Sequence, residues 1–299
     1  MTARANTAHG NGGRLQVEAA AAPLQFEASA EPLHFQAAAE PLRVLLLHNA
    51  YQQRGGEDAV VDSEEALLRA HGHAVLRHQR SNDEIATLSR AALAAQTIWS
   101  RRSAQEVSTL IADFRPHVVH LHNSFALLSP SVIWAASQAG VPVVQTLHNF
   151  RLLCPQAMLL RDGKVCEDCV GHVPWRAVQH RCYRDSASQS AVLATMLQAH
   201  RWLGTYRERV TLYIALNEFC RDRFIAGGLP AERLRVKPNF VDLAHPPAEA
   251  PRSGLLFVGR LSSEKGIAVL ADAARMLPEG TTLRIVGDGP ERHRLEGIV

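Results

Sequence analysis

From Arg43 onward, short apolar runs alternate with amphipathic stretches. RVLLLH over 43–48 is the first apolar run, and Val60, Val61, Leu67 and Leu68 then recur at helical spacing up to a stop at Gly72. Further runs predict strands over 73–78, 116–122, 141–148 and 211–216. Between them lie a polar helical stretch after residue 80, a helix over 131–138 and a long helix over 187–203. Apolar runs of this length suit strands buried on both faces. Strands alternating with helices predict a doubly wound parallel sheet.

The pattern is absent from the first 42 residues. Ala, Glu, Gln and Gly dominate there, with a nine-residue echo at Pro23-Leu24, Pro32-Leu33 and Pro41-Leu42. Three such copies are too short for a solenoid, and the prolines interrupt any helix. This segment is expected to be a disordered extension, and 43–245 a first domain. Residues 246–253, rich in proline, read as a linker. The chain then restarts with an apolar strand, a glycine turn and a helix, and a second strand over 282–286 follows. Residues 254–299 therefore read as part of a second domain.

Composition narrows the class. A formal net charge of +3 with no basic stripe does not suggest a nucleic-acid binder. Lys164, Lys237 and Lys265 are the only lysines, so arginine carries almost all the positive charge. Five cysteines in 299 residues do not make a secreted disulfide scaffold. With no signal-like start and no apolar run of about 18 residues, a cytoplasmic protein is expected.

Ligands of doubly wound sheets sit beyond the carboxyl ends of the strands. His48, His120, His122 and His148 fall there, with Gly55 and Gly56 ahead of the first helix. Paired glycines let backbone N–H groups approach an anion closely. In the second half, Arg260 follows Gly259, and Lys265 lies near a helix start. Fixed cations in that position suit a diphosphate. Neither a GxGxxG directly after the first strand nor a Walker A sequence is present.

The loop over 149–185 carries Cys154, Cys166, Cys169 and Cys182, spaced C-x11-C-x2-C-x12-C, with His172 and His180 nearby. The central pair has the spacing of a thiolate zinc knuckle, and the four make a candidate structural zinc set. Unmetalled buried thiols and redox or disulfide uses are the alternatives. The acids Glu167 and Asp168 between the central thiols disfavour a reactive thiolate. Cys220 reads as packing. In the helix that follows, Val192, Leu193, Met196, Leu197 and Leu203 form one stripe, either a core face or a membrane-surface face.

FVGRLSSEKG, LRIVGDGPER and the preceding RVKPNFVD resemble the retaining glycosyltransferases of family 4, which have the two-Rossmann GT-B fold. RGGEDAVVDSEEALLRAHGHAV, RPHVVHLHN and VPVVQTLHNFRLLCP resemble the same family's first half. The resemblance runs from about Arg43 to Glu296. It implies a GT-B-like α/β chain, with an N-terminal Rossmann domain on the acceptor side and an incomplete second one for the nucleotide-sugar. It implies that Arg260 and Lys265 hold the donor diphosphate and that His148 reaches the donor sugar. Gly55, Gly56, Glu57, His122, Asn239, Gly259 and Gly287 would complete the donor and acceptor sites, with residues 238–242 as a hinge.

The implied reaction moves a sugar from a nucleoside diphosphate to an acceptor hydroxyl with retention. Cell-surface polysaccharide or glycolipid synthesis is the expected setting, without a catalytic cofactor. A lipid-linked acceptor would bring peripheral contact with the inner face of the membrane. The family's pair of glutamates with seven residues between them falls beyond Val299, so the chain is expected to be truncated and inactive alone. A nucleotide-sugar epimerase of the same architecture and a non-enzymatic, zinc-ordered remnant are the alternatives. Donor, acceptor and linkage are not legible.

Overall fold

A computed structural model of the protein describes residues 40–241, 253–278 and 280–296. Most of the expected extension (1–39) and most of the expected linker (246–252) lie outside the described residues. The chain divides into two units, Met1–Phe240 and Val241–Val299.

In the first unit the apolar runs form the expected parallel sheet. Its elements are β1 (Arg43–Ala50), α1 (Gly56–Ala70), β2 (Ala74–Ser81), α2 (Arg90–Ile98), α3 (Arg101–Phe114), β3 (Val118–Asn123), α4 (Ser131–Gln138) and β4 (Val143–Leu147). After these come the small strands β5 (Leu160–Arg161) and β6 (Lys164–Val165), then α5 (Trp175–Gln179), α6 (Ala187–Trp202), α7 (Thr205–Glu208), β7 (Leu212–Ala215), α8 (Glu218–Ala226) and β8 (Leu234–Val236). Six strands pair in the order β2-β1-β3-β4-β7-β8, every pairing parallel. The order turns back between β1 and β3, the switch point where such sheets open a crevice. A register shift between Leu47 and His48 on the β3 side falls at that place.

Burial explains the register. Leu45, Leu47, Val119, Leu121, Val143 and Tyr213 join one core with residues of α3 and α4. Val44 and Leu46, on the opposite face of β1, pack with Val61 of α1. Covering helices on both faces are what an all-parallel sheet requires.

Three details differ from the sequence reading. The polar helical stretch is two helices, broken at Trp99 and restarted where the Ser100 hydroxyl accepts from the Ser103 N–H at 3.2 Å. Just ahead of residues 238–242, expected as a hinge, Leu234–Val236 is an edge strand, β8, that the apolar pattern did not predict, paired with β7. The cysteine loop does have core of its own, since Leu152, Leu153, Cys154 and Leu159 belong to the main cluster.

The α6 stripe is a core face. Leu193, Met196 and Leu197 are buried against Ile98, Phe125 and Tyr183. It is therefore not a membrane-surface face, although Leu203 at its end is exposed. Among the described residues, no helix is long and apolar enough to cross a membrane.

The second unit contains β9 (Leu255–Val258), α9 (Ile267–Arg275), β10 (Leu283–Val286) and α10 (His293–Glu296). β9 and β10 pair in parallel, and a small core gathers Leu261, Ile267, Ala271 and Leu295. Leu255, Leu256, Val258 and Val286 on the two strands are exposed.

Leu121 is fully buried at the centre of the large sheet. Leu121→Ala is expected to destabilise the first unit by about 2–5 kcal/mol, lost transfer energy plus a cavity. Urea unfolding measures this, and a midpoint unchanged from the parent would contradict the assigned core.

Candidate functional site

The carboxyl ends of β1, β3 and β4 bring together the histidines that the sequence placed at strand tips. His48, His120 and His122 are buried, and His148 lies half-buried just past β4. His122 Nδ1 and His148 Nε2 are 3.0 Å apart, and their rings stack at 5.3 Å. His120 Nε2 lies 2.9 Å from the Thr146 hydroxyl.

A carboxylate that the sequence reading passed over faces this cluster. Glu64 of α1 is only 5 % exposed, with Oε2 at 3.5 Å from His122 Nε2 and 3.6 Å from His120 Nδ1. Its other oxygen accepts from Lys237 Nζ at 2.7 Å, just past β8. Glu64, His120 and His122 are close enough together to converge on a cation. The Lys237 ammonium already neutralises that carboxylate and would repel a second positive charge, so we read the group as a charge network.

The carboxylate also orders the imidazole protons. A proton on His122 Nε2, facing Glu64, leaves Nδ1 to accept from His148 Nε2–H. His148 Nδ1 then presents a lone pair. The opposite tautomers would set an unprotonated nitrogen against the carboxylate. The proton positions are assigned on this electrostatic ground.

The glycine loop joins the same end of the sheet. Gly55 is the N-cap of α1, and its N–H donates to Asp58 Oδ2 at 2.8 Å. Asp58 Oδ1 is 2.9 Å from His48 Nε2, so one carboxylate caps the helix and orients the imidazole. Glu57 Oε1 accepts from the Asn149 amide at 2.7 Å, tying the loop to the residue after His148. Burial pushes the Glu57 carboxyl up, partly offset by Asn149, Tyr51 and the Arg151 cation. Gly55 and Gly56 are exposed. The structure thus gathers Gly55, Gly56, Glu57, His122 and His148. Asn239 is exposed two residues beyond Lys237.

Gly259, Arg260, Lys265 and Gly287 belong to the second unit. Gly259 and Gly287 close β9 and β10, and a Cβ on Gly287 would lie 1.9 Å from the Gly259 carbonyl oxygen. Only glycine at 287, where φ is 147°, lets the two strand-end loops lie side by side. Leu261 N–H donates to Asp288 O at 2.9 Å, continuing that pairing. Arg260 and Lys265 are exposed, and Lys265 ends the 3-10 turn before Gly266 and α9.

Cys154, Cys166, Cys169 and Cys182 line one cavity of about 10 Å³ together with Arg161, Asp168 and Arg176. All four thiols are free. Burial pushes the Cys169 thiol up to about 11, making it a poor nucleophile. Cys220 is partly buried against the main core, as the packing reading expected.

With this geometry in hand, comparison with known proteins is direct. The model of Glycosyltransferase Family 4 matches residues 44–245. The chain belongs to this glycosyltransferase family. Among solved structures, Anabaena Alr3699/HepE in complex with UDP is 18% identical, with a TM-score of 0.47 over 86% of this chain and 64% of that one. The lipopolysaccharide outer core galactosyltransferase WaaB is 15% identical, with a TM-score of 0.44 over 85% and 64%. A UDP-N-acetylglucosamine 2-epimerase from Rickettsia bellii is 12% identical, with a TM-score of 0.40 over 87% and 66%. No curated protein matches. The family 4 chain described here thus spans just under two thirds of the HepE chain.

Glu64 and Lys237 were missed because they act at long range. Glu64 left a trace: on α1 it is buried in series with Asp58 and Val61, so a charged residue occupies the core-facing stripe. Lys237 had no local signal.

Burial holds the His120 and His148 pKa values down to about 4. The unfolded chain, with histidines near 6.5, therefore binds more protons between about pH 4 and pH 6.5. Stability should be full above about pH 6.5 and fall as pH drops through that window. His120→Gln should flatten the fall by up to about 1.4 kcal/mol per pH unit. Urea unfolding from pH 4 to 7.5 tests this; parallel curves for variant and parent would contradict it.

Proposed function

We propose that this family 4 protein transfers a sugar from a nucleoside diphosphate to an acceptor hydroxyl with retention at the anomeric carbon. The setting we favour is assembly of cell-surface polysaccharide or glycolipid. The observation that carries the proposal is the neutral His148 just past β4, backed by His122 and Glu64, at the carboxyl end of the sheet that also carries the exposed glycine loop. The family match over 44–245 supports the same reading.

Glycosyl transfer passes through an oxocarbenium-like state while negative charge grows on the departing phosphate. Arg260 and Lys265 are the residues to stabilise that phosphate, as exposed cations beside glycine turns. They do so as fixed charges and need no metal to act. His148 is uncharged near neutral pH and offers its Nδ1 lone pair to a hydroxyl of the donor sugar. Gly55 and Gly56 provide close backbone approach at the α1 N-terminus, next to Glu57. His122 holds His148 from behind. Asn239, Gly259 and Gly287 complete the proposed donor and acceptor contacts.

Two assays test this. In a preparation whose parent protein shows transfer, Lys265→Ala is expected to lower transfer from a nucleoside-diphosphate sugar by ~100-fold or more, the scale for losing one preorganised stabilising group. Turnover near that of the parent would remove Lys265 from the leaving-group role. Product should form only when an acceptor is supplied. Conversion of the donor to an isomer without acceptor would instead mark an epimerase.

A further inference from the structure

We propose that Cys154, Cys166, Cys169 and Cys182 bind one Zn²⁺ as a structural tetrathiolate site that closes the loop following His148. The four residues come from three separated turns, yet all line the same small cavity. Cys154 enters from the edge of the main core. Cys166 and Cys169 flank a turn in which Val170 N–H donates to Glu167 O at 2.9 Å. Cys182 arrives after α5, its N–H donating to Ala177 O at 3.0 Å.

The outer part of this loop has little else to hold it. Between residues 161 and 182 only Cys169, Pro174 and Ala177 are buried. The β5–β6 pair has two residues per strand, and α5 has five. Within this stretch, Asp162 and Arg181 have φ of 51° and 49°. Left-handed backbone costs about 1–2 kcal/mol for each non-glycine residue. A segment with so few apolar contacts and so unfavourable a trace needs a further tie. Metal–thiolate bonds supply one in small loops that lack a core.

The charges around the cavity fit a metal tetrathiolate. Four thiolates on a dication leave a double negative charge, and two guanidinium groups line the same cavity. Arg161 donates to Asp168 Oδ2 at 2.9 Å, and Arg176 lies 3.5 Å from the same oxygen. Cations around the sulfurs offset the charge that metal-bound thiolates would carry. An all-sulfur set selects soft or borderline ions such as zinc over magnesium or calcium.

Among the described residues, the set of ligand atoms lying within 4.8 Å of one another is Glu64, His120 and His122. No three of the thiols lie that close. Zinc–sulfur bonds of ~2.3 Å place tetrahedral sulfurs about 3.8 Å apart, so zinc would draw the four inward. The Cys166–Cys169 turn and the side chain of Cys182, only partly buried, are the places where that movement meets least packing.

The test is metal analysis of the full chain purified under reducing conditions, with Zn²⁺ and Co²⁺ as probes. About one zinc per chain is expected. Replacing it with Co²⁺ should give the visible bands of tetrahedral cobalt and a near-ultraviolet thiolate charge-transfer band. The double variant Cys166→Ser, Cys169→Ser should lose the metal, and Glu64→Gln should keep it. Three results would overturn the proposal. These are a chain that takes up neither ion against a chelator of micromolar affinity, zinc that survives the double variant, or cysteines paired as disulfides in the reduced preparation. If the double variant does not fold, the cobalt spectrum of the unaltered chain decides alone. None of these readings depends on glycosyl transfer, so the zinc site and the proposed activity stand or fall separately.

Discussion

The first unit is organised around a buried charge. Glu64 sits on the core-facing side of α1, where an apolar residue would ordinarily pack. Its partner Lys237 lies 173 positions further along the chain, at 2.7 Å. A buried carboxylate without its cation would cost several kcal/mol, so the pair fixes α1 and the segment after β8 against each other. His120 and His122 of β3 face the same carboxylate. One ion pair therefore sets the relation of three segments far apart in sequence.

The ion pair also sets the chemistry of the strand tips. With Glu64 compensated by Lys237, the nearby imidazoles gain little from protonating, and desolvation holds His122 well below its ordinary pKa. Asp58 does the equivalent work on the other side, aligning His48 while capping α1. Glu57 and Asp58 in the first turn oppose an anion at that helix end. Any phosphate approaching Gly55 and Gly56 must be met by backbone N–H groups and by cations from elsewhere.

Much of this was legible in the sequence. Leu45, Leu47 and Leu121 announce buried strands by their apolar runs, and every strand-tip histidine lies at the crevice end of the sheet. What was not legible depends on side chains meeting across the fold. The Glu64–Lys237 pair has no periodic or spacing signature. The break between α2 and α3 depends on the Ser100 cap, which a run of helix-forming residues on both sides conceals. The cysteine loop looked short of core because Leu152, Leu153 and Leu159 are irregularly spaced, although they reach the main cluster.

The proposed reaction makes two opposite electrostatic demands on the residues assigned to it. In the first unit the charges near the strand tips are paired: Glu64 with Lys237, Asp58 with His48, Arg54 with Asp62. What they leave at the surface is a half-buried, neutral imidazole. Arg260 and Lys265 of the second unit are exposed. Transfer of a glycosyl group builds positive charge on the sugar ring and negative charge on the leaving phosphate. A protonated His148 beside the ring would oppose the first, and a neutral side chain in place of Lys265 would not answer the second. Under the proposed reaction, burial meets the first demand by keeping His148 uncharged, and the charge of Lys265 would meet the second.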